Sequence, residues 1–127
     1  VTTNATAAYR DHAARTASNE QVLLMLYDAL VTDLDVAAAA IAEADWERCS
    51  SSLIHAQDIL RVLRGALQAD AFEGGQQLLE LYLFLERHLV QANVAKDGAA
   101  VRAAARIVEP LRAAWQQAVA QVERGVA

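Results

Sequence analysis

Cysteine, proline, glycine and aromatic side chains are all scarce in this chain of 127 residues, which has one Cys, one Pro, five Gly and 6 % aromatics. The lone Cys49 excludes an internal disulfide and fits a reducing compartment. It falls on an apolar helical stripe, so a buried structural thiol is expected there. Strand-like alternation of Val, Ile and Thr is missing, which argues against any sheet fold. Positive charge is short too, with 11 Lys and Arg against 16 Asp and Glu and a formal net charge of −5. Such a surface does not attract a phosphate backbone, so nucleic acid is not an expected partner. No apolar run approaches the roughly 20 residues of a membrane-spanning helix, and no basic-then-apolar leader opens the sequence. Membrane insertion is therefore not expected, and the cytoplasm is the expected location.

Catalytic signatures are absent as well. No Glu is followed three residues later by His, the pairing that builds di-metal sites in helical bundles. There is no Gly-x-Ser-x-Gly, no Gly-rich phosphate loop and no Cys/His signature. The three histidines, His12, His55 and His88, come from separate segments. His55 and Asp58 read as a surface hydrogen-bonded pair rather than a metal edge, and Asp58 would repel a phosphoryl group carried on His55. No catalytic residue, metal ligand or cofactor is assigned, and the chain is not expected to be an enzyme.

What is present is helix-forming material. The composition is 55 % hydrophobic and Ala-rich, enough for one domain with its own core. Residues 1–17 have no sustained period and read as a flexible lead-in with one helical turn near Ala8 to Arg15. Ser18, Glu20 and Gln21 form a capping box that predicts the start of a first helix running to Ala44. Asp45 caps a second, to Ala69. Asp70 to Gly75 is a loop, Gln76 to Ala95 a third helix, and Ala99 to Arg124 a fourth. Lys96, Asp97 and Gly98 break the last two apart, with Gly98 suited to positive φ. Pro110 predicts a kink or restart near Val108. The expected fold is all-α, an antiparallel four-helix bundle over residues 18–127.

Helical wheels of these four are unequal. The fourth has one clean stripe through Val101, Ala104, Val108, Leu111, Trp115, Ala118 and Val122. The second has a main row from Trp46 and Cys49 through Leu53, Ala56, Leu60 and Leu63 to Leu67, with Ile59 at its flank and Ile54 and Val62 further round. The third carries a core-like row that includes Leu78, Leu81, Tyr82, Leu85, Leu89 and Ala92. About 120° away it has another: Leu79, Leu83, Val90 and Val94. The first helix has a row through Leu23, Tyr27, Leu30, Leu34 and Ile41 with Val22, Leu24, Met25 and Val31 left on other sides. These surplus rows are either a homodimer interface or a groove for an amphipathic helix of another protein. Periodicity alone does not choose.

Four stretches, ASNEQVLLMLYDAL (Ala17 to Leu30), LIHAQDILRVLRGAL (Leu53 to Leu67), LLELYLFLERHLVQAN (Leu78 to Asn93) and LRAAWQQA (Leu111 to Ala118), resemble the flagellar secretion chaperone family FliS, in that family's order. His55 stands where the family commonly has lysine, Leu83-Phe84-Leu85 replaces a polar-aromatic step, and Pro110 falls within the last helix. The resemblance implies a helical bundle that binds the C-terminal segment of flagellin in the bacterial cytosol. There it would prevent premature polymerisation and deliver flagellin to the flagellar type III export apparatus, with export gate components as further partners. It also implies that the N-terminal segment, with Tyr9, folds over the groove when no client is present. Carried over by position, the client contacts are Val22, Leu23, Met25, Leu26 and Tyr27 of the first helix. Ala56, Ile59, Leu60 and Leu63 of the second join them, with Leu81, Tyr82, Leu89 and Asn93 of the third. The alternative is a self-associating bundle without a flagellin client, and the sequence is compatible with a monomer or a homodimer.

Overall fold

A computed structural model describes residues 2–71 and 73–125, with side chains described from Asn19 onward except at position 72. Four helices follow one another: α1 (Thr2–Ala42), α2 (Trp46–Ala66), α3 (Gly75–Ala95) and α4 (Gly98–Gly125), with a 3-10 turn at Ala69–Ala71. No strand occurs among the described residues. Connections this short between long helices force neighbours to run antiparallel. The cross-helix contacts confirm it, because Gln21 meets Glu123, Asp28 meets Arg112 and Ile41 lies beside Gly98. Helix α1 packs on α2 and α4, and α3 packs on the same two. The section is a four-cornered bundle.

The first helix begins at Thr2, not at Ser18. A capping box works only if the chain before it leaves helical dihedrals, and the Ala-rich residues upstream favour continuing the helix. Ser18, Glu20 and Gln21 are therefore inside α1. At α2 the expectation holds, since Asp45 accepts from the Arg48 amide. The α3–α4 break is made differently from expectation. Lys96, at φ 52°, takes the left-handed position and Gly98 simply opens α4. Helix α4 runs through Pro110 without a restart. Before α3, Gly74 has φ 87° and a Cβ on Gly75 would collide with the Ala69 carbonyl. The two glycines thus let the 3-10 turn fold onto the start of α3.

The core tapers. Near the α1–α2 and α3–α4 turns it is built of small side chains, with Ala37, Ala40, Cys49, Ala92, Val101 and Ala104 all buried. Cys49 is the buried thiol its stripe position implied. Towards the other end the layers use Leu34, Leu53, Leu60, Leu85, Leu30, Leu63, Tyr27 and Tyr82. Beyond them the inward positions Leu23, Leu67, Leu78 and Trp115 are only half-buried. Trp46, the first position of the main α2 row, is 49 % exposed, because a row that starts at the first residue of a helix begins at the rim of the bundle. Outer ties join every adjacent pair of helices, among them Asp33 with His55, Arg64 with Glu86, Asp28 with Arg112, and His88 Nε2 with the Ala100 carbonyl at 2.9 Å.

Candidate functional site

Apolar side chains remain on the outside of this bundle, and most of them gather along the two seams that flank α2; Phe84, also exposed, instead stacks on His88 towards α4. On α1, Val22, Met25, Leu26 and Ala29 follow the i, i+3, i+4, i+7 spacing of one helix face. Met25 is 68 % and Val22 49 % exposed. The Asp33–His55 contact fixes the α1–α2 register. Leu26 lies two turns before Asp33 and Val62 two turns after His55, so antiparallel packing brings Leu26 level with the exposed Val62. On the far side of α2, Ser50 Oγ donates to Asn93 Oδ1 at 3.2 Å. One turn further along each helix, Ile54 stands level with Val90, and Val94 is 83 % exposed beside them. Leu83, half-buried, continues that line.

A third feature lies at the tapered-out end. Leu23, Leu63, Ala66, Leu67, Gln68, Ala71, Leu78, Tyr82 and Trp115 line an open apolar cleft of about 280 Å³. Below it the Tyr27 and Tyr82 hydroxyls hydrogen-bond across the bundle diagonal, and the Trp115 ring packs 6.4 Å from that of Tyr27. Burial raises both tyrosine pKa values above the usual 10.0, and at Tyr82 the hydrogen bond with Tyr27 adds to the shift. Both hydroxyls stay neutral donors and acceptors wherever the bundle is folded near neutrality. No group of three or more metal-ligating side chains forms among the described residues. His55 is bound to Asp33 on α1 rather than to Asp58, which instead pairs with Arg61. No described helix is long and apolar enough to cross a membrane.

Exposed apolar seams on a helical bundle are surfaces for protein association. The family described as Flagellar protein FliS matches this chain over residues 2–122. The chain belongs to the FliS family. It is 34 % identical over 117 residues to the flagellar secretion chaperone FliS of Bacillus subtilis (strain 168), covering 92 % of this chain and 86 % of the relative. It is 28 % identical over 111 residues to the flagellar secretion chaperone FliS of Escherichia coli (strain K12), covering 86 % and 82 %. FliS is a family of secretion chaperones, not of enzymes.

Within this FliS fold the residues expected at the client surface separate into three groups. Val22 and Met25 are exposed, and Leu23, Leu26, Leu81 and Asn93 are half-buried. Tyr27, Ala56, Ile59, Leu60, Leu63, Tyr82 and Leu89 are buried in the core. In this state those seven shape the surface from beneath, and Leu63 and Tyr82 also reach the cleft wall. The Tyr9 side chain lies outside the described residues. Asn93 does not cap α3. Its Oδ1 accepts from Lys96 Nζ at 2.6 Å, while Lys96 also donates to Ser50 at 2.8 Å. Ile54, Val62, Val90 and Val94 were absent from the expected contact set. Their signal was already in the wheels, as apolar side chains more than 100° from the core stripe.

Proposed function

We propose that this chain is a flagellin-specific export chaperone that binds the C-terminal segment of flagellin in the bacterial cytosol, keeps it from polymerising and delivers it to the flagellar export apparatus. The observation that carries this reading is the pair of apolar seams flanking α2, led by Met25 and Val94. Leaving several such side chains in water forgoes roughly 1.5–3 kcal/mol of burial each, a cost a partner helix recovers. The contact set is Val22, Leu23, Met25, Leu26, Leu81 and Asn93, joined by Ile54, Val62, Val90 and Val94. The seven buried residues of the expected set act as the scaffold. Asn93 keeps its amide N–H donors without an intramolecular acceptor among the described residues, so they are available to a client carbonyl. The segment carrying Tyr9, which continues α1 in this structure, folds back over a seam when no client is bound.

Mixing the protein with a synthetic flagellin C-terminal peptide tests the reading. The expected result is a gain of helicity, micromolar or tighter binding, and a negative ΔCp from apolar burial. Replacing Met25 with Glu should weaken binding about tenfold or more, about 1.4 kcal/mol, with the thermal midpoint unchanged. A dimer that persists on dilution and ignores the peptide would favour self-association instead.

A further inference from the structure

We propose that the part of α4 beyond Pro110 is a hinged arm that swings away from the bundle end and widens the cleft beside Trp115. Burial along the inward stripe of α4 changes at this residue. Val101, Ala104 and Val108 before it are at most 1 % exposed, whereas Leu111, Trp115, Ala118 and Val122 after it are only half-buried. Pro110 has no N–H, so the Arg106 carbonyl lacks its helical donor at the boundary. Proline within a helix is a usual site of bending. Pro110 itself faces solvent, so flexing there disturbs no core side chain.

The ties that hold the arm down are few. Arg112 contacts Asp28 only two residues after the hinge, and Gln21 reaches Glu123 at 3.5 Å near the tip. Both contacts sit at the surface, where ion pairs and polar bonds are weak. Trp115 is both the main apolar attachment of the arm and one wall of the cleft. Moving the arm therefore moves that wall, while α1, α2, α3 and the turn between α2 and α3 keep the others fixed. This is a hinge motion of one half-helix about its terminal residues. Its use as a gate for a client side chain rests on the flagellin reading above; the motion itself does not.

Amide hydrogen exchange on the full chain without any client tests the motion. Residues 112–125 should exchange about a hundredfold faster than 101–109, and Pro110→Ala should slow the arm by about tenfold or more. In a Trp46→Phe background, which leaves Trp115 as the sole tryptophan, acrylamide quenching should fall in Pro110→Ala and rise in Arg112→Gln. Equal protection on the two sides of Pro110, or a Pro110→Ala variant that exchanges and quenches like the parent, would overturn the hinge. Stopped-flow mixing with the flagellin peptide tests the gate, with slower association in Pro110→Ala expected and an unchanged rate overturning it. Failure of the parent protein to bind the peptide would overturn the functional reading and leave the exchange result standing.

Discussion

The two ends of the bundle are built on opposite principles. At the end that holds the α1–α2 and α3–α4 turns, alanines, Cys49 and Val101 let the backbones approach closely, both connections are tight, and Ser50, Asn93 and Lys96 clip α2 to the end of α3. At the other end the side chains are large, the link from α2 to α3 is a longer turn through Ala69–Ala71, and the last inward layer does not close. Small residues give density but little buried area. Large ones give area only if the helices around them are held together, and near Trp115 they are held weakly. The difference shows where this protein keeps rigidity and where it keeps room.

The contrast is broken most severely by cavities. Leu53→Ala, in the fully closed part of the core away from the cleft, should cost about 2–5 kcal/mol, because neighbours packed on all sides cannot collapse into the space. Leu78→Ala, on the cleft wall, should cost no more than about 1–2 kcal/mol, since that side chain is already half in water beside an existing space. Urea denaturation of the two variants measures both, and equal losses would show that the ends are equally packed. Overfilling should keep the same ranking by position. Ala104→Leu, with no free volume around it, should lose about 1–3 kcal/mol, whereas Ala66→Leu, facing the cleft, should be neutral or slightly stabilising. If Ala66→Leu also weakens peptide binding, the cleft and the seam beside it share a client.

Much of the fold was legible beforehand, though not the division between its ends, and the reasons for the exceptions are local. The four helices, the Asp45 cap and the inward stripes follow from spacing, because a helix places its side chains by count alone. Ser18 misled because Ser, Glu and Gln are tolerated inside a helix, so a capping box marks a start only when the preceding residues stop being helical. Trp46 fitted its row but lies at the rim. Tyr27, Leu60 and Leu89 were read as contact residues, and no wheel separates a groove from a core when both are apolar. His55 found Asp33 on another helix, a partner that only packing supplies.

Between the two ends lies the tyrosine pair, which tests how tightly the bundle closes under the cleft. Tyr27→Phe leaves the Tyr82 hydroxyl buried without its partner and should cost about 1–3 kcal/mol. Removing both hydroxyls should cost less than the two single changes added together. The pair also sets an alkaline limit. Both pKa values are raised by folding from 10.0, so the unfolded chain releases these protons first. Their contribution to stability is complete below pH 10 and declines as the pH rises through the folded values. Thermal midpoints should therefore be flat in this respect up to about pH 9.5 and fall above it, and the fall should vanish in the double Phe variant.

The smallest effect concerns the polar clip, where two contributions oppose each other at one residue. Lys96 binds Ser50 and Asn93 through its ammonium while its backbone sits at φ 52°. Lys96→Met keeps the left-handed strain and loses the ammonium, so about 1 kcal/mol of stability should go, less than a buried charged hydrogen bond is worth because the group is partly exposed. Lys96→Gly loses the same bonds but relieves a conformation that costs an L-residue about 1 kcal/mol. It should return to within about 0.5 kcal/mol of the parent. Denaturation of the two variants side by side separates clip from strain. If Gly falls as far as Met, the backbone at the end of α3 is not strained, and the clip alone accounts for the lysine at that position.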